Sequence, residues 1–398
     1  MGIIIYKGKE FQGTIERGGG GEAIEPYKYA SSTITSYNGN ENLILDNAFL
    51  SCSALSTVSF PQCSYIGNNA FYNCTALSSI SFPECTYISG YTFLSCSALT
   101  TVSFPKCTYI GDNAFYDCTA LSSISFPECT YIGGQAFRYC ADLSTISFPK
   151  CTYIGNATFQ NCFSLITISF PQCSYIGSIA FYNCSALSTI SFPQCSYIGS
   201  NAFYKCIALS TASFPQCSYI GNAAFYGCSR LTTISFPECS YISSNAFYSC
   251  SVLTTASFPK CSYIGSSTFQ ACSRLTTALF PECTYIGANA FYNCIALTTI
   301  SFPQCSSIGI SAFYNCNLIT ASFPECSFIG NYAFQACTNL VSLYLLTSTV
   351  PSLQNSNAFN YTPLSKGGSG TIYVNASLEA SFKTATNWIY LSSRIVGI

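Results

Sequence analysis

Histidine is absent from this 398-residue chain. With it go Ser-His-Asp and Cys-His activation of a nucleophile and every His-ligated metal site. Charge is also scarce: Asp, Glu, Lys and Arg together make up 7% of the residues, with a formal net charge of −1. There is no basic footprint for nucleic acid and no polybasic cluster for an anionic membrane. No apolar run approaches the roughly 18 residues of a transmembrane span, so membrane insertion is not expected. The N-terminal MGIIIYKGKEF carries only the short apolar run Ile3–Tyr6, where a secretory signal needs roughly 7–15 such residues. This fits a cytosolic chain, one whose signal has been trimmed, or export by another route. Methionine and tryptophan occur once each. The composition points to no enzyme, no metal and no cofactor.

What is present in quantity is periodic. A cysteine stands at every eleventh residue from Cys52 to Cys316, and the full period is 22. One unit reads Cys63 to Glu84, CSYIGNNAFYNCTALSSISFPE, and near-copies run to about Leu340. Such a repeat predicts a solenoid in which each unit packs only on its neighbours. The expected organisation is an N-terminal head and Gly-rich linker over 1–40, a solenoid of about 13 coils over 41–346, and a C-terminal cap over 347–398.

Leu77 to Cys85, LSSISFPEC, fits the leucine-rich-repeat pattern L-x-x-L-x-L-x-x-N/C, with Leu77, Ile80, Phe82 and Cys85 inward. Ile80 and Phe82 alternate with Ser79 and Ser81, the period of a half-buried strand. In the other half, Cys63, Ile66 and Phe71 repeat the spacing of Cys74, Leu77 and Phe82, so the unit reads as two related halves. The predicted fold is thus a repeat solenoid, a leucine-rich-repeat right-handed superhelix of 22-residue coils. It has one parallel β-sheet face and a second face of short turns or 3₁₀/helical segments around Ala70–Phe71. Gly67 is expected at the corner between the halves as a permissive backbone position, although Ser89 and Ser243 in the same slot argue against an obligatory positive φ. Stacking at roughly 4.8 Å per coil predicts a rod about 60 Å long.

The run C-x-x-I-G-x-x-A-F-x-x-C-x-x-L-x-x-I-x-F-P resembles the BspA-like class of leucine-rich repeat, from about Ala48 to Leu340. The segment GTIYVNASLEASFKTATNWIYLSSRIVGI resembles the terminal segment of bacterial members, with a strand at IYV, a helix-like stretch near 376–386 and Trp388 in a cap. The resemblance implies a surface or secreted protein that binds a protein or glycan on another cell. The first forty residues are not repeat: IIIYKGKEF reads as a strand or half-hairpin and Gly18–Gly21 as a linker. A head of this kind weakly resembles the attachment heads of prophage tail proteins, which makes a phage tail or receptor-binding accessory the alternative.

The 27 cysteines, with no histidine beside them and no close C-x₂₋₄-C pair, read as small buried core side chains with ordinary or raised pKa values. The residue after each proline runs Gln62, Glu84, Lys106, Glu128, Lys150, Gln172, Gln194, Gln216, Glu238, Lys260, Glu282, Gln304 and Glu325. Its alternating signs predict cross-coil pairing more than a binding stripe. The candidate binding surface is tyrosine. One column comprises Tyr65, Tyr87, Tyr109, Tyr131, Tyr153, Tyr175, Tyr197, Tyr219, Tyr241, Tyr263 and Tyr285. A second follows the Ala-Phe pair: Tyr72, Tyr116, Tyr182, Tyr204, Tyr226, Tyr248, Tyr292 and Tyr314, interrupted by Leu94, Arg138, Gln160 and Gln270. Two readings stand side by side: rigid rings with wet hydroxyls recognise a partner, or the rings stack on one another and armour the coil.

Overall fold

The computed structural model describes residues 23–398 together with the strands Ile4–Tyr6 and Lys9–Phe11. Those two strands pair antiparallel, as the sequence around IIIYKGKEF suggests. Gly18–Gly21 lies outside the described residues. The chain divides into two compact units, 1–172 and 173–398, and each is a β-solenoid.

Every coil contributes two short strands. The three-residue strand, Ser79–Ser81 in the reference coil, is the one that alternation predicts, with Ile80 buried between exposed serines. The other is a two-residue strand, Tyr65–Ile66, which pairs parallel with Tyr87–Ile88 one period on. This Tyr-Ile ladder is the longer of the two. In the first unit it runs through seven strands, from Ala23–Ile24 to Tyr153–Ile154, and in the second through nine, from Tyr175–Ile176 to Ser352–Leu353. The Ser-x-Ser strands form shorter sheets, of four and three strands in the first unit. The sheet therefore extends through the half-coil where two residues are too few to display an alternating pattern. Flanking bonds from Ser64 N to Asn42 O (2.9 Å) and from Gly67 N to Ile44 O (2.8 Å) lengthen that ladder on both sides. The ladder also reaches back to Ala23, so residues 23–24 and 36–38 already pair with the coils that follow.

The face around Ala70–Phe71 is built of turns, with no helical segment in it. Two residues per turn sit in the left-handed region, Asn69 (φ 53°) and Asn73 (φ 58°) in the reference coil. Asparagine tolerates this conformation well; Ile179 at φ 64°, being β-branched, does not. The backbone donors of the turn divide cleanly. Tyr72 N and Cys74 N turn back to Asn69 O and Phe71 O, whereas Asn69, Phe71 and Asn73 donate to Gly90, Thr92 and Leu94 of the next coil. The turn face is thus hydrogen-bonded coil to coil with half its donors, and the rest are satisfied locally.

Gly67 is not in the left-handed region, nor are its equivalents. Its necessity is proximity: a Cβ there would lie 2.7 Å from Asp46 N of the preceding coil, and at Gly111 2.6 Å from Gly90 N. The expectation of a conformationally permissive corner is corrected to one of close backbone approach. Ser89 is accommodated with its Oγ 3.1 Å from the Tyr65 hydroxyl. The residue missing between Cys316 and Cys326 is absorbed in the corner: Leu318 takes the buried leucine slot, and Thr320 pairs with Thr299 in register.

Within each coil Ile66, Phe71, Cys74, Leu77, Phe82 and Cys85 are completely buried. Phe71 lies between Phe49 and Phe93, with centroids 5.0 and 5.3 Å away and rings within 6° of parallel. It meets Phe82 at 6.2 Å and 60°. Offset stacking along the columns and tilted contact between them is the arrangement aromatic quadrupoles favour. At the N-terminal end Tyr29 and Tyr37 replace the phenylalanines, stacking on Phe49 at 5.1 Å and on Phe60 at 5.3 Å. At the C-terminal end Phe359 covers Phe334. Trp388, fully buried, packs against Phe359 and Phe382 and donates its indole N–H to Pro351 O at 2.8 Å. The cap contains the expected strand, Thr371–Val374, and the expected helix, Glu379–Thr384.

Candidate binding surface

The first tyrosine column is carried by the two-residue strand, whose isoleucine points inward and whose tyrosine therefore points out. Parallel pairing in register holds each ring over its equivalent one coil away. Centroids lie 4.5 Å apart for Tyr87–Tyr109, 4.9 Å for Tyr109–Tyr131 and 5.0 Å for Tyr131–Tyr153. In the second unit the spacing is 4.9 Å for Tyr175–Tyr197 and 4.6 Å for Tyr241–Tyr263, with planes within about 1°. Tyr65, Tyr109, Tyr131, Tyr153, Tyr175, Tyr197, Tyr219, Tyr241 and Tyr263 are half-buried; Tyr87 and Tyr285 are the most open.

The second column stands on the turn, immediately before the left-handed residue. Tyr182, Tyr204, Tyr226 and Tyr248 stack in succession at 4.7, 4.8 and 4.7 Å, and Tyr292 stacks on Tyr314 at 4.6 Å. All are half-buried, as are Tyr72 and Tyr116. Where Arg138 interrupts the column, its guanidinium lies 5.7 Å from the Tyr116 ring and 4.8 Å from the Tyr139 ring. It also bonds Gln135 Oε1 at 2.7 Å and the Tyr139 hydroxyl at 3.2 Å. Lys205 similarly sits 5.6 Å from the Tyr204 centroid.

Both columns consequently present ring edges and hydroxyls, because their faces are spent on each other. Desolvation raises the pKa of Tyr131, Tyr153, Tyr197 and Tyr263, and pushes Tyr109 up to about 12. Neutral phenols, able both to donate and to accept, line the surface. Two features escape the repeat pattern. Tyr344 and Tyr373 stack at 4.7 Å on neighbouring strands near the C-terminus, and Tyr139 joins Tyr116 edge to face at 5.6 Å. Tyr139 occupies a slot that is usually Asn or Ser, a departure visible in the sequence; the Tyr344–Tyr373 pairing depends on a register that no repeat announces.

The cysteines are all free and all buried. The thiols also donate hydrogen bonds: Cys63 Sγ lies 3.2 Å from Tyr65 O, and Cys74 Sγ lies 3.2 Å from Phe49 O of the preceding coil. Burial pushes Cys85, Cys96 and Cys107 up to about 12. Cys52, at the end of its column, is brought down to about 6, first by a hydrogen bond from Cys74 and then by one from Ser32. Among the described residues no group of three or more Cys, Asp or Glu is arranged to hold a metal ion. The alternating charge column forms ion pairs Lys106–Glu84, Lys150–Glu128 and Lys260–Glu238, each 2.6 Å and about half exposed. No helix among the described residues is long and apolar enough to cross a membrane.

The model of the BspA type leucine rich repeat region (6 copies) matches residues 22–144, 108–218, 152–276, 196–317 and 262–367. Among solved structures, a leucine-rich repeat protein from Bacteroides ovatus ATCC 8483 is similar at 28% identity, covering 80% of this chain and 91% of that one, with a TM-score of 0.67. A leucine rich cell surface protein from Faecalibacterium prausnitzii A2-165 is 26% identical over 72% of this chain and 84% of that one, with a TM-score of 0.44. No curated protein matches.

Proposed function

The chain belongs to the BspA type of leucine-rich-repeat proteins, and from that premise we propose that it is a non-catalytic binding module. Its partner is a protein or glycan on another cell, and its place is outside the producing cell. The surface location follows what this repeat type implies. The observation that carries the reading is the pair of tyrosine columns, above all Tyr182–Tyr204–Tyr226–Tyr248, ordered by their own stacking. Rings already immobilised lose little conformational freedom on association, and that loss is a main cost of binding. Tyrosine beside Ser and Asn is also the composition of adaptable recognition surfaces.

The test is binding of labelled protein to a panel of intact bacterial and epithelial cells with a glycan array alongside. It is repeated with the Tyr204→Ala, Tyr226→Ala, Tyr248→Ala triple variant. Saturable binding to a cell type or sugar that the triple variant loses, with Tm nearly unchanged, is the expected result. Binding that the variant retains, or a fall in Tm matching the loss, would assign the rings to the stack alone. Selective binding to bacteria closely related to the source would favour the tail-accessory alternative.

A further inference from the structure

The chain carries two redox-active populations in opposite settings. Its 27 thiols are buried and free, whereas the tyrosine columns lie at the surface. An oxidant arriving from solvent therefore meets phenol before it meets sulfur, the reverse of the usual order for a cysteine-rich protein, because only accessible thiolate reacts readily. The phenols it meets are already paired. Tyr87 and Tyr109 have centroids 4.5 Å apart with planes 3° from parallel, and Tyr87 is 38% exposed. Tyr241 and Tyr263 stand 4.6 Å apart at 1°. Parallel register keeps each ring's partner in place, so the coupling partner is at hand without a diffusive search, the advantage of proximity.

We propose that the Tyr87–Tyr109 and Tyr241–Tyr263 pairs are sites of oxidative coupling to dityrosine by hydrogen peroxide acting through a haem peroxidase. Each phenol gives up one proton and one electron to become a phenoxyl radical. The two radicals then join through a new carbon–carbon bond ortho to the hydroxyls, and tautomerisation restores both phenols. The pair loses two hydrogens in all, and one peroxide is reduced to two waters. Each link ties residue i to residue i+22, so adjacent coils become covalently joined without any disulfide. The thiols remain reduced in the core.

The experiment treats dilute full-length protein with horseradish peroxidase and limiting hydrogen peroxide. Peptide mapping by mass spectrometry, dityrosine fluorescence and a thiol count after denaturation follow. The expected result is monomeric protein bearing Tyr87–Tyr109 and Tyr241–Tyr263 links, each two hydrogens lighter, with all 27 thiols retained and the thermal midpoint raised. Tyr87→Phe keeps the stacked ring but removes the phenol, so it should abolish the first link and spare the second. Three results would overturn the proposal: links only between chains, pairings no more specific than in urea-unfolded protein, or thiols consumed before any ring couples. Loss of cell or glycan binding has no bearing on this outcome.

Discussion

In the strand half of a coil the thiol serves its own coil: Cys107 Sγ lies 3.2 Å from Tyr109 O. In the turn half it reaches the coil before it: Cys118 Sγ lies 3.2 Å from Phe93 O. Both residues are completely buried and they stand eleven apart in a repeat whose halves look alike. The difference follows from what the backbone has left to do. Beside Cys107, Thr108 N and Gly111 N already bridge to Thr86 O and Ile88 O. The turn half commits alternate donors to its own carbonyls, as Tyr116 N does to Asn113 O. There the side-chain donor adds a tie to the preceding coil beside the main-chain bonds that the other turn donors, such as Phe115 N to Ala136 O, make to the next. Duplicated sequence has been put to two mechanical uses.

The largest effect that would break this contrast is alkaline titration, which attacks both columns together. Cys85, Cys96 and Cys107 are raised from 9.0 to about 12, chiefly by burial. The folded values lie above the unfolded one, so the stabilisation is complete below about pH 9 and is lost as pH rises toward 12. One pKa unit is ~1.4 kcal/mol, so a few thiols suffice to exceed a typical stability of ~5–15 kcal/mol. Thermal midpoints between pH 8 and 11 should fall steeply above 9; a flat profile would remove the thiols from the stability account.

A smaller effect separates the columns. Cys118→Ala should cost about 2 kcal/mol, from the lost sulfur contacts and a hydrogen bond net of ~1 kcal/mol. Cys107→Ala should cost less, because no tie between coils goes with it. Urea denaturation should also show a lower m-value for Cys118→Ala alone, the mark of weakened coupling between neighbours. Equal costs and equal slopes would erase the distinction. The smallest effect is a gain in the turn half: Ile179→Asn relieves a β-branched residue at φ 64° and should stabilise by about 1 kcal/mol. The same denaturation curve reads it as a higher midpoint.

Much of this was open to a reader of the sequence. The 22-residue coil, the buried cysteines, the Ile-x-Phe strand and the alternating ion pairs all follow from period and polarity, and Lys106 does pair with Glu84. The continuous ladder through Tyr65–Ile66 was hidden because a two-residue strand has no pattern to show. The left-handed positions were hidden because Asn69 and Asn73 share their slots with Ile179 and Lys205. Gly67 was visible, but its reason was not: the distance to Asp46 belongs to stacking, which one coil cannot reveal. The tyrosine columns were legible as columns; that their rings meet face to face, leaving edges and hydroxyls outward, required the register.

Ser32 and Thr362 place hydroxyls at the two ends of the cysteine column that reaches between coils. Ser32 Oγ lies 3.6 Å from Cys52 Sγ, and Thr362 Oγ1 lies 2.7 Å from Phe359 O. Between such ends the bonds stay within one coil or reach a neighbour about one period away, and the ends themselves do not record how many periods separate them. Recombination between near-identical gene segments can then add or delete whole coils and leave each junction chemically equivalent to the one it replaced. Copy number becomes a heritable variable on which selection can act quickly, with the number of displayed tyrosines changing in step and the folding problem unchanged.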